Sequence, residues 1–270
     1  MDMPSLQDST LELSGRVAQL TFRRNDVRNA LTGTALVDDI LAALEWADRT
    51  PAVSVLIMTG EGAVFSSGGN VKEMQERRGI FGGSALEIHD QYRRGIQRLP
   101  LAMEQAEIPL IAAVNGPAIG AGFDLACMCD LRLASTKAVV GETFVNLGII
   151  PGDGGAWFLQ RLIGYQKAAE MTLTGRLVSA AEALQLGIFL ELAEPDQLLE
   201  RTRELARQIA EKPPQALRLT KRLLKLAQRG TLPDFLGTCA SLQAMAHHTC
   251  DHHEAVAAFL EKRTAVFTGS

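Results

Sequence analysis

Asp124 stands in the stretch VNGPAIGAGFDLACMCD, among glycine, alanine and large apolar side chains. An unpaired carboxylate is costly in such surroundings. Burial raises its proton affinity, as a base working near neutral pH requires. Two glycine-rich turns accompany it: FSSGGN, residues 65–70, leads into VKEMQERR, and GAG, residues 120–122, opens the segment that carries Asp124. Small residues before a helix let the chain turn tightly and leave first-turn amides unbonded, so each turn offers N–H donors to an anion. A glycine before a helix is also ordinary punctuation, and neither turn alone defines a site. Asp153, in IIPGDGGAW, falls at a helix start, where an aspartate ordinarily caps free amides. In HHTCDHHE, His248 and His252 have the i, i+4 spacing of metal ligands, with Cys250 and Asp251 beside them. That segment spans a helix junction, so it reads as a solvated or subunit-contact cluster, and no metal site is expected.

These residues need elements to position them. Residues 16–22 (RVAQLTF) alternate as a half-buried strand does, and residues 34–48 follow with apolar side chains at helical spacing. Residues 53–59 (VSVLIMT), 110–114 and 131–134 are short apolar runs that predict strands buried on both faces. Strands alternating with helices in this way predict an α/β core. From about residue 196 strands give out and four helical segments follow, opened or broken by the prolines of EKPPQ and TLPD. The predicted division is a core over residues 1–195 and a helical region over 196–270.

The chain has 270 residues, 47% of them hydrophobic, enough to fill a large core. A net charge of -4 and 5% aromatic residues give neither a basic footprint nor a stacking platform for nucleic acid. The start, MDMPSLQDST, lacks the charged and apolar regions of a secretory signal, so a cytoplasmic location is expected. The most apolar window, residues 108–127, is interrupted by prolines, glycines and Asp124, and no membrane span is predicted. The four cysteines form no CxxC pair and are expected reduced. GAGFDL lacks the third glycine of a dinucleotide fingerprint, FSSGG is not a nucleophile elbow, and no phosphate-binding GxxxxGK occurs.

Taken together, RNDVRNAL, VFSSGGNVKEM, AAVNGPAIGAGFDLACMCDLRLAS, LGIIPGDGGAWFLQRLIG and EAVAAFLEKRTAVF resemble the crotonase (enoyl-CoA hydratase/isomerase) superfamily. The resemblance spans residues 11–267. It implies a spiral of ββα units with a helical C-terminal trimerisation region, assembled as a homotrimer or a dimer of trimers. It also implies an acyl-CoA substrate whose thioester oxygen sits between two backbone amides, here those of Gly69 and Ala121. Amides aimed in advance at that oxygen stabilise the enolate left when a proton is taken from the α-carbon. Coenzyme A, part of the substrate and not a resident cofactor, would lie against Asp26, Val27 and Arg28, with Lys72 near the entrance of the acyl pocket and Ser67, Gly68 and Phe144 also in contact with the substrate. Phe259 and Lys262 of the last helix would approach its nucleotide end, often from a neighbouring subunit.

A hydratase of this superfamily uses two glutamates, one at the position of Asp124 and one before IPG. Counted back from Ile150, the second position is Phe144, which cannot transfer a proton. Glu142 is expected to be solvated at a strand end. Asp153 is the expected partner of Asp124, as catalyst or as helix cap, with a helix N-terminus holding its proton affinity down. Two acids flanking an acyl pocket suit double-bond isomerisation, with hydration close behind. Thioester hydrolysis, decarboxylation or non-catalytic binding of acyl-CoA are the alternatives.

Overall fold

A computed structural model describes residues 2–270. Its larger sheet has six strands: β1 (Ser9–Ser14), β2 (Val17–Phe22), β3 (Val55–Gly60), β4 (Leu110–Val114), β6 (Leu131–Ser135) and β9 (Glu191–Ala193), in the order β1-β2-β3-β4-β6-β9. The β1–β2 pair is antiparallel and every later pair is parallel. A smaller sheet joins β5 (Ala118–Ile119), β7 (Val139–Gly141) and β8 (Val178–Ser179). From β4 onward each turn of the chain gives one strand to the large sheet and a short one to the small sheet: β4 with β5, β6 with β7, β9 with β8. The result is a spiral of ββα units.

The apolar runs of β3 and β4 follow from burial on both faces. Leu56, Met58 and Ala112 point into the main core, whereas Val55, Ile57, Ile111 and Ala113 face the helix Leu198–Ala210 through Leu198 and Ala206. The first helix of the predicted C-terminal region therefore packs directly on the sheet. Helices Pro214–Leu226, Leu232–His247 and Cys250–Glu261 follow it. Pro214–Leu226 is fastened to the body by cations on backbone carbonyls. Arg218 donates to Asp48 O (3.0 Å), Lys221 to Ile108 O (2.6 Å) and Lys225 to Glu104 O (2.7 Å). Burial brings the Lys225 ammonium down to about 8.

Strand β1, whose sequence STLELS carries little apolar signal, lies outside the elements predicted from sequence. So do the short strands of the small sheet. No helix among the described residues is long and apolar enough to cross a membrane.

Candidate active site

The turn at residues 65–70 is threaded between two neighbours. Ser66 forms an isolated parallel bridge with Ala118, and Gly68 forms one with Ala30. The Ser66 hydroxyl donates to Asn29 O (2.7 Å) and accepts from Gly68 N (3.2 Å), while Asn70 N donates to Thr32 Oγ1 (2.8 Å). Gly68 has φ +76°, and a Cβ there would lie 2.6 Å from Ile119 O and 2.8 Å from Ala121 N. Only glycine lets the two predicted turns meet this closely. Among the described residues neither Gly69 N nor Ala121 N donates a hydrogen bond, and both residues line one cavity.

That cavity has an apolar wall of Met74, Ile80, Phe81, Ile96, Ile119, Phe144 and Ile150, with Tyr92 beside them. The Phe144 ring packs over Gly120, whose Cβ would meet it at 3.6 Å. Asp153 is the one carboxylate on the wall.

Behind Asp153 lies a cluster of acids. Asp124, in the first turn of the helix Ala121–Met128, is completely buried, as is Glu142 just past β7, and Asp153 is 4% exposed. Gly155 separates the first two: its Cβ would fall 2.2 Å from Asp124 Oδ1 and 2.4 Å from Glu142 Oε1. Glu142 Oε2 accepts from the Thr172 hydroxyl of the helix Tyr165–Thr174. With all three groups ionised, both Asp124 oxygens, Glu142 Oε1 and Asp153 Oδ1 lack partners. A proton on Asp124 gives it one O–H donor and turns its contact with one of the other two into a hydrogen bond. Burial first, then the charges of Asp153 and Glu142, drive Asp124 well above the ordinary carboxylate range. Burial also raises Glu142 and Asp153, against the Thr172 hydroxyl for the former and the Asp124 hydrogen bond for the latter.

Two expectations are corrected here. Glu142 is enclosed and not solvated, because the helix carrying Thr172 packs beyond the strand end. Asp153 caps nothing: Gly154 is the N-cap of the helix Gly155–Ile163 and that helix has no side-chain cap. With its carboxylate turned to Asp124 and buried, Asp153 has its proton affinity raised, not lowered.

The remaining predicted residues surround the cavity at different distances. Ser67 lines it, and its amide donates to Arg28 O (3.0 Å), so the turn is tied to the stretch holding Asp26 and Val27. Asp26 and Arg28 are exposed, the former paired with Arg24 at 2.8 Å. Lys72 is exposed between Val71 and Met74, both on the wall. Phe259 is 83% exposed on the last helix, and neither it nor Lys262 lines the cavity within one chain. The histidines pair as His247 with His252 (3.0 Å between ring nitrogens) and not as His248 with His252. Among the described residues no group of three or more His, Cys, Asp or Glu side chains is arranged to hold a metal ion. Sequence reasoning did not single out Tyr92, Gly155 or Thr172. The only local signal for Glu142 was its place directly after the apolar run AVVG.

A spiral of this topology, with a cavity between its glycine turns, is the crotonase fold. A profile described as Enoyl-CoA hydratase/isomerase matches residues 12–270. The chain is 36% identical over 254 residues to the 2,3-dehydroadipyl-CoA hydratase of Escherichia coli (strain K12), covering 94% of this chain and 96% of that one. It is 33% identical over 271 residues to an enoyl-CoA isomerase/hydratase of Mycosarcoma maydis, covering 97% and 96%. The crystal structure of the enoyl-CoA hydratase from Bacillus anthracis superposes with a TM-score of 0.89 at 32% identity, covering 98% of this chain and 100% of that one. The chain belongs to the enoyl-CoA hydratase/isomerase family, a family of acyl-CoA enzymes.

Proposed function

We propose that the protein shifts the double bond of an enoyl-CoA by transferring a proton along a thioester enolate. The observation that carries this reading is Asp153: buried on the cavity wall, one oxygen unpaired, and backed by Asp124. With a 3-enoyl-CoA, the Asp153 carboxylate takes a proton from C2, and the C–H electron pair moves onto the thioester oxygen. The pair then returns through the conjugated system, and Asp153 delivers the proton to C4. The product is a 2-enoyl-CoA, and neither water nor a cofactor is consumed.

The amides of Gly69 and Ala121 are the donors assigned to the enolate oxygen. A single aimed donor of this type is worth about 3 to 4 kcal/mol in the transition state. Phe144, at the position of the superfamily's second glutamate, fills the space over Gly120 where an attacking water would stand. The CoA moiety is assigned to Asp26, Val27 and Arg28, held to the turn through Ser67, with Gly68 below and Lys72 at the mouth. Phe259 and Lys262 would come from a neighbouring copy in a homotrimer or dimer of trimers.

Hydration is the second reading, favoured by the names of the relatives. Incubation with 2- and 3-enoyl-CoAs of several chain lengths, with product masses and double-bond positions determined, tests both. An isomer of unchanged mass, formed about 100-fold more slowly by Asp153→Asn at an unchanged melting temperature, supports the proton shuttle. A product heavier by one water replaces isomerisation with hydration, and free coenzyme A points to hydrolysis. Tight binding of every ester without product would leave a binding protein.

A further inference from the structure

The acid cluster holds one more carboxylate than the shuttle uses. Glu142 is fully buried and absent from the cavity wall, so it cannot meet substrate. It is not there by default of space, since a Cβ on Gly155 would overlap both it and Asp124. One of its oxygens is held by Thr172; the other faces Asp124 with no donor of its own. Asp124 thus lies between an enclosed carboxyl and one that opens to the cavity.

We propose that Glu142 is a positioning residue that keeps a proton on Asp124 by facing it with a fixed carboxylate from the enclosed side. This rests on the isomerase reading above for its meaning in catalysis. The proton makes Asp124 a neutral donor instead of a third adjacent charge, and it leaves Asp153 as the ionised base. Thr172 supports this by donating to Glu142, which stabilises the charged form. The other titratable groups facing the cluster carry no charge to compete. Cys127, on the same helix as Asp124, is a buried thiol with its proton affinity raised by burial, and Tyr92, from the helix Ala85–Arg94, is a phenol raised by burial and by Asp153. Among the described residues no lysine or arginine forms an ion pair with any of the three acids, and Arg132 is spent on the carbonyls of Ile188 and Cys129.

The test is infrared titration of the intact protein, following the carbonyl stretch of a protonated carboxyl. The wild type should show this band at pH 7, and Asp124→Asn should abolish it. Glu142→Gln keeps the shape and the Thr172 contact, removes the facing charge and offers Asp124 an N–H. The band should then disappear at least about one pH unit lower than in the wild type, the scale of a like-charge effect at contact. Thr172→Val, which leaves the carboxylate but weakens its ionised form, should move it by a smaller step in the same direction. The alkaline limb of the isomerisation rate should follow both shifts, which a merely structural role would not produce. No band at pH 7, or the same titration in wild type and Glu142→Gln, overturns the proposal. An infrared shift without isomerisation of any enoyl-CoA would overturn the functional reading and leave the role of Glu142 standing.

Discussion

At Asp124 two physical effects oppose each other. Its place in the first turn of a helix favours the charged form, an effect worth up to about 2 kcal/mol in partly buried sites. Complete burial disfavours that form by several kcal/mol, and two neighbouring carboxylates add to this, so the protonated acid wins. The folded state then holds a proton that the unfolded chain releases once the pH passes its ordinary carboxylate value. Stability falls as pH rises through the window above that value, up to the raised value of the folded protein. Asp124→Asn, whose amide can donate to both Asp153 and Glu142 without charge, should therefore gain melting temperature relative to the wild type at pH 8. The gain should shrink toward pH 5, as read by thermal unfolding at both pH values. Asp124 and Asp153 were legible because an acid in an apolar run or a glycine turn is conspicuous. Glu142 was not, because the exposure of a strand end depends on what packs beyond it, and nothing near residue 142 announces Thr172.

The two glycine turns work as one element, since Gly68 rests on the carbonyl of Ile119 and the amide of Ala121. Gly68→Ala puts an L side chain at φ +76° and into that contact, a cost of about 1–3 kcal/mol. We expect turnover to fall together with the melting temperature, and acyl-CoA affinity to weaken in calorimetry. Normal turnover in this variant would remove the two amides from the mechanism. The buried strands and the helices leaving both turns could be read from apolar runs and small residues. The small sheet could not: its strands are two or three residues long, and their pairing is set by the spiral and not by any local pattern.

In the whole molecule, the last two helices leave Leu232, Leu236, Met245, Phe259 and Leu260 exposed, with Phe259 at 83% and Leu260 at 73%. Apolar area of this kind marks an interface. Sedimentation should give the mass of a homotrimer or hexamer, and Phe259→Asp with Leu260→Asp should reduce it. If a neighbour's Phe259 reaches the nucleotide, the same variant should bind CoA esters about tenfold more weakly, equivalent to about 1.4 kcal/mol.

The enclosure of the acids also affects isotopes. Asp124 and Glu142 are sealed from solvent, and only Asp153 opens to the cavity. A deuteron lifted from C2 has no bulk water to mix with while the acyl chain fills that opening. A 3-enoyl-CoA labelled at C2 should therefore yield product carrying the label at C4 of the same molecule, even in ordinary water. Mass spectrometry of single-turnover product would read that retention directly, and a chain too short to fill the cavity should lose it.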